Sequence, residues 1–514
     1  MNAQRDWGRA TWALLGLLGV VVLATFRDYG ISNDEEVQHV YGKLLIDFYR
    51  SGGADLSAFS YKNLYLYGGL FDMVAVLLAP LLPFQEYETR HLLSALAGLA
   101  GIAATWRIGA RLAGERAGFL AAAILALSGV WWGGMFNHTK DVPFAAAVAW
   151  TTWAVLRMLP ELPRPRLSSG LLFGLFAGLA VGVRFGVVMS LVWLAAPVAI
   201  HLWRTGRPAI AARDAGLIVA RLIPGLILFL ALMALFWPWS VRAPGNIFEA
   251  VATFSKFPYP ITTIMNGVTY LATEVPRAYL LIYLLIKLPL YYHLGLLLGL
   301  AALARRGWAP VSPAIVTVVL AAAVPVAYAV AADAPLYNGI RHFLFVLPPL
   351  AALGALGFEH VWRLVEQGGR RRGALLSAAL GVTAAGHVGM LIALHPNQYV
   401  YYNPLIGGLA GADRRWEMDY WSNSLREASL LLADKLAAEA PDRTAPWGVG
   451  VCADPLQVTT YAPTRLVRDD NWPNVDFFLS STQVDCDRII EAPVIVEIRR
   501  MGVLLAVVKD LRKR

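Results

Sequence analysis

The strongest constraint on this chain is a rhythm. Apolar runs of about twenty residues are divided by short breaks, and arginines gather in every second break. The runs fall near 11–26, 89–110, 117–135, 142–159, 168–183, 186–203, 215–237, 288–304, 311–332, 342–360 and 374–394. Each is near the ~20 residues that a helix needs to cross a bilayer. Arg5 and Arg9 precede the first run; Arg107, Arg111 and Arg116 follow the second; Arg157, Arg164 and Arg166 follow the fourth. Arg204, Arg207 and Arg213, then Arg305 and Arg306, then Arg363 with Arg370, Arg371 and Arg372 continue the pattern. The other breaks hold Asp28, Asp34, Glu35, Glu36, Asp47, Asp55, Glu86 and Glu88. Under the positive-inside rule this is a multi-pass membrane protein with about eleven transmembrane helices and a cytoplasmic N-terminus. The net charge of +9 therefore records topology and implies no nucleic-acid partner. Only 15% of the 514 residues are charged, against about 25% in ordinary globular domains. A soluble enzyme, a disordered scaffold and a disulfide-stapled secreted domain are all excluded.

Arg5 and Arg9 before a short apolar stretch give the first run the look of a signal peptide. It lacks a small-residue cleavage site before Asp28 and reads as an uncleaved anchor. Residues 64–83 and 268–287 are apolar but would break the arginine alternation if they crossed. They read as helices lying in the interface plane. After His395 the composition turns polar. The expected division is a transmembrane catalytic domain over 1–395, whose first extracytoplasmic loop spans 27–88, and a small C-terminal α/β extracytoplasmic domain over 396–514. Cys452 and Cys486 lie in that tail, where the compartment permits a disulfide and spacing leaves the pairing open.

Chemistry-bearing residues gather at the acidic face. Ser32-Asn33-Asp34-Glu35-Glu36 opens a helix whose apolar residues Val37, Val40, Tyr41, Leu44, Leu45 and Phe48 recur at three- and four-residue spacing. Ser32 with Glu35 reads as a capping box, which accounts for Glu35 without catalysis. Three consecutive carboxylates go beyond a cap: their repulsion raises a proton affinity and suits a general base or a cation site. Asn137-His138-Thr139-Lys140-Asp141-Val142-Pro143 lies between the third and fourth runs on the same face, where Asp141 also serves as an ordinary helix start. Arg184, Lys287, and Arg341 with His342 stand between apolar runs at that surface. Any one of them can snorkel to headgroups. Together, beside two carboxylate sites, they suit an anion such as phosphate. No residues show metal-ligand spacing, so neither metal nor other cofactor is expected. These parts fit group transfer from a lipid-phosphate donor at the outer leaflet.

Asn33-Asp34-Glu35 and Lys140-Asp141-Val142-Pro143-Phe144 resemble the bacterial branch of glycosyltransferase family 39. That family has the GT-C membrane fold and includes protein O-mannosyltransferases and lipid A aminoarabinose transferases. The turn 107–118, Tyr283-Leu284-Leu285-Ile286-Lys287-Leu288-Pro289, Gly339-Ile340-Arg341-His342-Phe343-Leu344-Phe345, the stretch His395–Pro404 and Asp419-Tyr420-Trp421 are similar to family segments in order along the chain. The resemblance implies an inverting transfer of a monosaccharide from a polyprenyl-phosphate carrier to a lipid, glycan or protein acceptor. It implies Asp34 as base, Glu35 in support and Asp141 as a second site carboxylate. Lys287 and Arg341 would hold the donor phosphate, with Arg184, His342 and Lys140 beside them. Glu36 makes a triple acid where the family pattern has a pair, so Glu35 could share the role of Asp34. The competing reading is a transporter or flippase of lipid-linked sugars. It predicts ionisable residues near mid-membrane and internal repeats, whereas the charges here lie at one face and no repeat is evident.

Overall fold

The computed structural model describes residues 2–257, 259–305 and 311–512; Arg306 of the fourth basic cluster lies outside them. Among the described residues, eight helical segments are long and apolar enough to cross a membrane, and two bent pairs bring the number to ten. The chain is a mostly helical multi-pass membrane protein. The helix at the expected span 168–183 is Leu167–Val181, 15 residues, or about 22 Å against a hydrocarbon core of about 30 Å. It lies against Pro208–Phe236, and Gly174 and Gly225 meet at the crossing: a Cβ on Gly174 would come 2.0 Å from the Gly225 carbonyl oxygen. Such close backbone approach through small residues is how helices associate in lipid, where no hydrophobic drive exists between them.

Two expectations need correction. The run 117–135 is not one straight helix. Glu115–Ala126 and Gly129–Asn137 meet at 66°, because Ser128 leaves helical geometry and its hydroxyl caps the new helix at the Trp131 N–H. The second helix then packs on the tail, with Gly129 and Gly133 against the backbone of Gln398 and Tyr399. The stretch 268–287 is not helical throughout either. Thr262–Met265 and Val268–Leu271 form an antiparallel hairpin whose turn residues Asn266 and Gly267 both have positive φ. Asn-Gly between β-branched residues is a strong hairpin signal, and it overrides apolarity. Tyr279–Lys287 follows as a helix bent by 107° from Leu290–Arg305. The stretch 64–83 is a chain of short helices, of which Leu70–Leu78 is the longest.

Beyond residue 440 the chain forms a five-stranded sheet in the order Leu466–Arg468, Trp447–Cys452, Phe477–Ser481, Val503–Asp510, Val494–Arg500. The first two pairings are parallel and the last two antiparallel. The helix Leu425–Glu439 covers one face through Leu425, Ala428, Leu432 and Leu436, which pack with Val449, Phe477 and Val508. Cys452 and Cys486 are joined in a disulfide.

Candidate active site

The three consecutive acids diverge as helical geometry dictates, about 100° per residue. Asp34, the residue before the helix Glu35–Arg50, turns to Arg341, whose Nη2 lies 3.4 Å from its carboxylate. Glu35 is fully buried. It accepts the Ser32 N–H at 2.7 Å and faces His91 Nε2 at 3.1 Å. That is half of the expected capping box: the Ser32 hydroxyl is buried and caps nothing. Glu36 faces Asp454 of the tail, and its proton affinity is raised by partial burial and by that carboxylate. The expected repulsion among neighbours in sequence is thus replaced by repulsion across the fold.

Asp141 begins the helix Asp141–Met158. It accepts from Arg184 Nη2 at 2.5 Å and lies 3.7 Å from Arg341 Nε. Arg341 therefore sits between Asp34 and Asp141. Its guanidinium is held by the ring faces of Trp421 at 4.2 Å and Tyr337 at 5.1 Å, and its Nε donates to His342 Nε2 at 3.0 Å. The two carboxylates differ in access: the Asp34 side chain is 43% exposed and that of Asp141 only 4%. The lone pairs of Asp141 are engaged by two guanidiniums, whereas Asp34 keeps an open side.

Lys140 ends the turn that precedes Asp141. Its ammonium lies 4.4 Å from the ring centroid of Tyr67, which Arg184 approaches at 5.7 Å from elsewhere. Burial pushes its pKa down to about 8, against the pull of Asp72 and Asp34. Among the described residues no carboxylate lies within ion-pair distance of Lys140. An unpaired ammonium beside two arginines is suited to an anion.

Asp34, Asp141, Lys140, Arg184, Arg341 and His342 are thus brought together. Lys287 is not among them. It is buried, donates to the Tyr399 carbonyl at 3.1 Å and lies 3.7 Å above the Tyr402 ring. Between it and Arg341 stands His138, stacked on Tyr420 and hydrogen-bonded to its hydroxyl at 3.1 Å. Burial and these two cations hold the His138 imidazole well below its ordinary proton affinity. The sequence reading gave no site role to Tyr67, Tyr337 or Trp421, the aromatic walls around the cations. The pairing of Arg341 with Trp421, eighty positions apart, left no local signal.

The loop that leads to Asp34 is held by the tail. Gly30 N–H donates to Asn423 Oδ1 at 2.7 Å and Ile31 N–H to the Tyr461 hydroxyl at 2.9 Å. The Ile31 carbonyl accepts from Gln457 Nε2, and Asn33 Oδ1 accepts the Asp454 N–H at 3.3 Å.

A cavity of about 780 Å³ lies elsewhere, among Gln4, Trp7, Arg116, Glu359, Trp362 and Arg363. The Arg116 guanidinium there is already closed by Glu359 and Glu366, and no carboxylate base faces an unpaired cation. The converging charges of the Asp34 cluster, rather than cavity size, make it the candidate chemical site.

Residues 77–239 match the family model described as dolichyl-phosphate-mannose-protein mannosyltransferase. No curated protein matches the chain in sequence. Two solved structures of ArnT from Cupriavidus metallidurans share its fold. The apo state is 15% identical with a TM-score of 0.50, over 99% of each chain. The state bound to undecaprenyl phosphate is 14% identical with a TM-score of 0.52, over 98% of each. The chain is a multi-pass membrane protein that shares the fold of ArnT and, over residues 77–239, matches the family model of the dolichyl-phosphate-mannose-protein mannosyltransferases.

Proposed function

We propose that this protein is an inverting glycosyltransferase of the bacterial inner membrane, with its N-terminus cytoplasmic and the Asp34 cluster at the outer face. It moves a pentose or hexose from a polyprenyl-phosphate carrier to a lipid, glycan or protein acceptor. Asp34 takes the proton of the acceptor hydroxyl or amine while the acceptor atom attacks the anomeric carbon from the face opposite the phosphate. The bond from that carbon to the phosphate oxygen breaks, and the polyprenyl phosphate leaves with the bonding electrons. Arg341, Arg184 and Lys140 neutralise the charge that develops on the leaving phosphate. Asp141 orients Arg184 and Arg341. His342 accepts the Arg341 Nε–H and fixes the plane of its fork. Glu35 supports Asp34 by pinning the helix start, and Lys287 anchors the segment 399–402 behind the site.

The observation that carries this reading is that one guanidinium, Arg341, bridges an accessible carboxylate and a buried one. It supports a base at Asp34 working beside an anion site at Arg341. The match of residues 77–239 to a dolichyl-phosphate-mannose-dependent family supports it. So does the undecaprenyl phosphate bound by the similarly folded ArnT.

The test uses protein in lipid nanodiscs, wild type beside Asp34→Asn. A panel of undecaprenyl-phosphate monosaccharides and a membrane extract are supplied, and free undecaprenyl phosphate is followed by mass spectrometry. Release by wild type, lost in the variant while donor still binds, is expected. Movement of donor across the bilayer without release would favour the flippase reading instead.

A further inference from the structure

Arg90 is completely buried in the first turns of the helix Glu86–Ala113, and the chemistry above gives it no task. Its Nη2 reaches Asp72 Oδ1 at 2.7 Å, Gln38 Oε1 at 3.2 Å and Thr139 Oγ1 at 3.3 Å. The ring of Phe71 covers the guanidinium at 5.3 Å. The Thr139 hydroxyl in turn donates to Gln38 Oε1 at 2.6 Å, closing a triangle across 101 positions of sequence. Gln38 stands one helical turn beyond Asp34, and Thr139 two residues before Asp141. The triangle therefore joins the two segments that carry the site's carboxylates.

A purely structural account assigns Arg90 to the two buried carboxylates beside it, Asp72 at 2.7 Å and Glu35 at 3.9 Å, which neutralise its charge. It leaves the Gln38–Thr139 bond without a reason. Arg341 meets Asp34 and Asp141 at 3.4 and 3.7 Å at once, so the spacing of the two carboxylates decides whether one guanidinium reaches both. We propose that Arg90, acting through Gln38 and Thr139, is a positioning residue that sets the spacing of Asp34 and Asp141 around Arg341. This rests on the reading of Asp34 as the base. Arg90 touches no substrate; it acts by fixing where the base stands when the acceptor arrives.

The test cuts the triangle without removing the buried charge pair. Thr139→Val, Gln38→Leu, their double variant and Thr139→Ser are compared with wild type in nanodiscs, using the undecaprenyl-phosphate sugar that wild type turns over. Displacing a reacting group by about 1 Å costs on the order of 100-fold in rate. Thr139→Val and Gln38→Leu should each lower kcat by roughly 10- to 100-fold with donor KM nearly unchanged, and Thr139→Ser should restore it. Because the two side chains form one device, the double variant should lose no more than the worse single one. Unchanged kcat in both single variants, a change in KM alone, or losses that multiply in the double variant would each overturn the proposal. Asp34→Asn is measured alongside: its retained activity overturns the base assignment, whereas its inactivity with a fully active Thr139→Val overturns the brace alone.

Discussion

Gly30 and Asn423, 393 positions apart, are joined by a 2.7 Å hydrogen bond from the glycine N–H to the asparagine side-chain oxygen. The same oxygen accepts from the Asn137 amide at 3.1 Å, and that amide also donates to the Gly30 carbonyl at 3.3 Å. Asn423 thus ties together the loop before Asp34, the turn before Asp141 and the start of the tail. The contact is as tight as a glycine permits: a Cβ on Gly30 would stand 2.7 Å from the Asn423 carbonyl oxygen and 3.3 Å from its Cα. Gly30→Ala should push the loop outward and lower kcat by on the order of 100-fold, the scale of a 1 Å displacement. Gly245→Ala, at a site where a Cβ meets nothing within 4 Å, should leave turnover unchanged. Single-turnover kinetics on the two variants checks this.

Asp141→Asn should act differently from Asp34→Asn. It frees Arg184 and Arg341 from the carboxylate that orients both, so donor KM should rise along with the fall in kcat. Asp34→Asn should lower kcat by roughly 100- to 10,000-fold, the usual worth of a general base, with donor binding kept. Donor titration monitored by tryptophan fluorescence, beside turnover, separates the two patterns.

Lys140 supplies a pH dependence with opposite signs for binding and stability. Its pKa is pushed down to about 8 from an ordinary 10.5, so its charge is present below that pH and lost above it. Affinity for undecaprenyl phosphate should fall as pH rises through 8. Between pH 8 and 10.5 the unfolded chain holds the proton that the folded chain has released, so folding stability should rise with pH over that window. Lys140→Met should remove both trends, which thermal denaturation and phosphate-lipid binding at stepped pH will show.

The Cys452–Cys486 disulfide closes a loop of 34 positions in the tail. Loop-closure entropy assigns such a link roughly 4 kcal/mol. Replacing both cysteines by serine should lower the melting temperature of the tail's sheet. The hydrogen bonds that the loop before Asp34 donates to Asn423 and Tyr461 and accepts from Gln457 should loosen with it, and activity should be lost at a temperature the disulfide-bonded protein tolerates. Circular dichroism melts paired with activity at the same temperatures provide the check.

Much of this architecture was legible because a bilayer leaves a sequence few choices. Length and apolarity located most of the crossings, and the arginine alternation gave an expected orientation for them. What escaped was where the ~20-residue rule meets local geometry. Ser128 breaks one crossing with a cap that a hydropathy window averages away, and Asn266-Gly267 turns a hairpin inside a stretch that reads as apolar helix. The site was legible in its charged residues, because charge at a membrane boundary is conspicuous. Their grouping was not. Lys287 resembles Arg341 in sequence context, yet only contacts from distant segments separate them: Trp421 against Arg341, Tyr399 and Tyr402 around Lys287. Arg90 sits in an ordinary-looking helix start, and its partners come from three other segments.

The anchoring of the Asp34 loop by the tail also bears on how the protein is made. A ribosome adds about 5–20 residues per second, so Asn423 follows Gly30 by roughly 20–80 s. During that interval the loop before Asp34 can meet the Asn137 amide, which donates to the Gly30 carbonyl, but lacks its partners Asn423, Gln457 and Tyr461. The full set of contacts on the Asp34 loop therefore forms only once Tyr461 has been made. A chain stopped before Asn423 would carry the charged residues of the Asp34 cluster without the tail contacts that hold the loop leading to it.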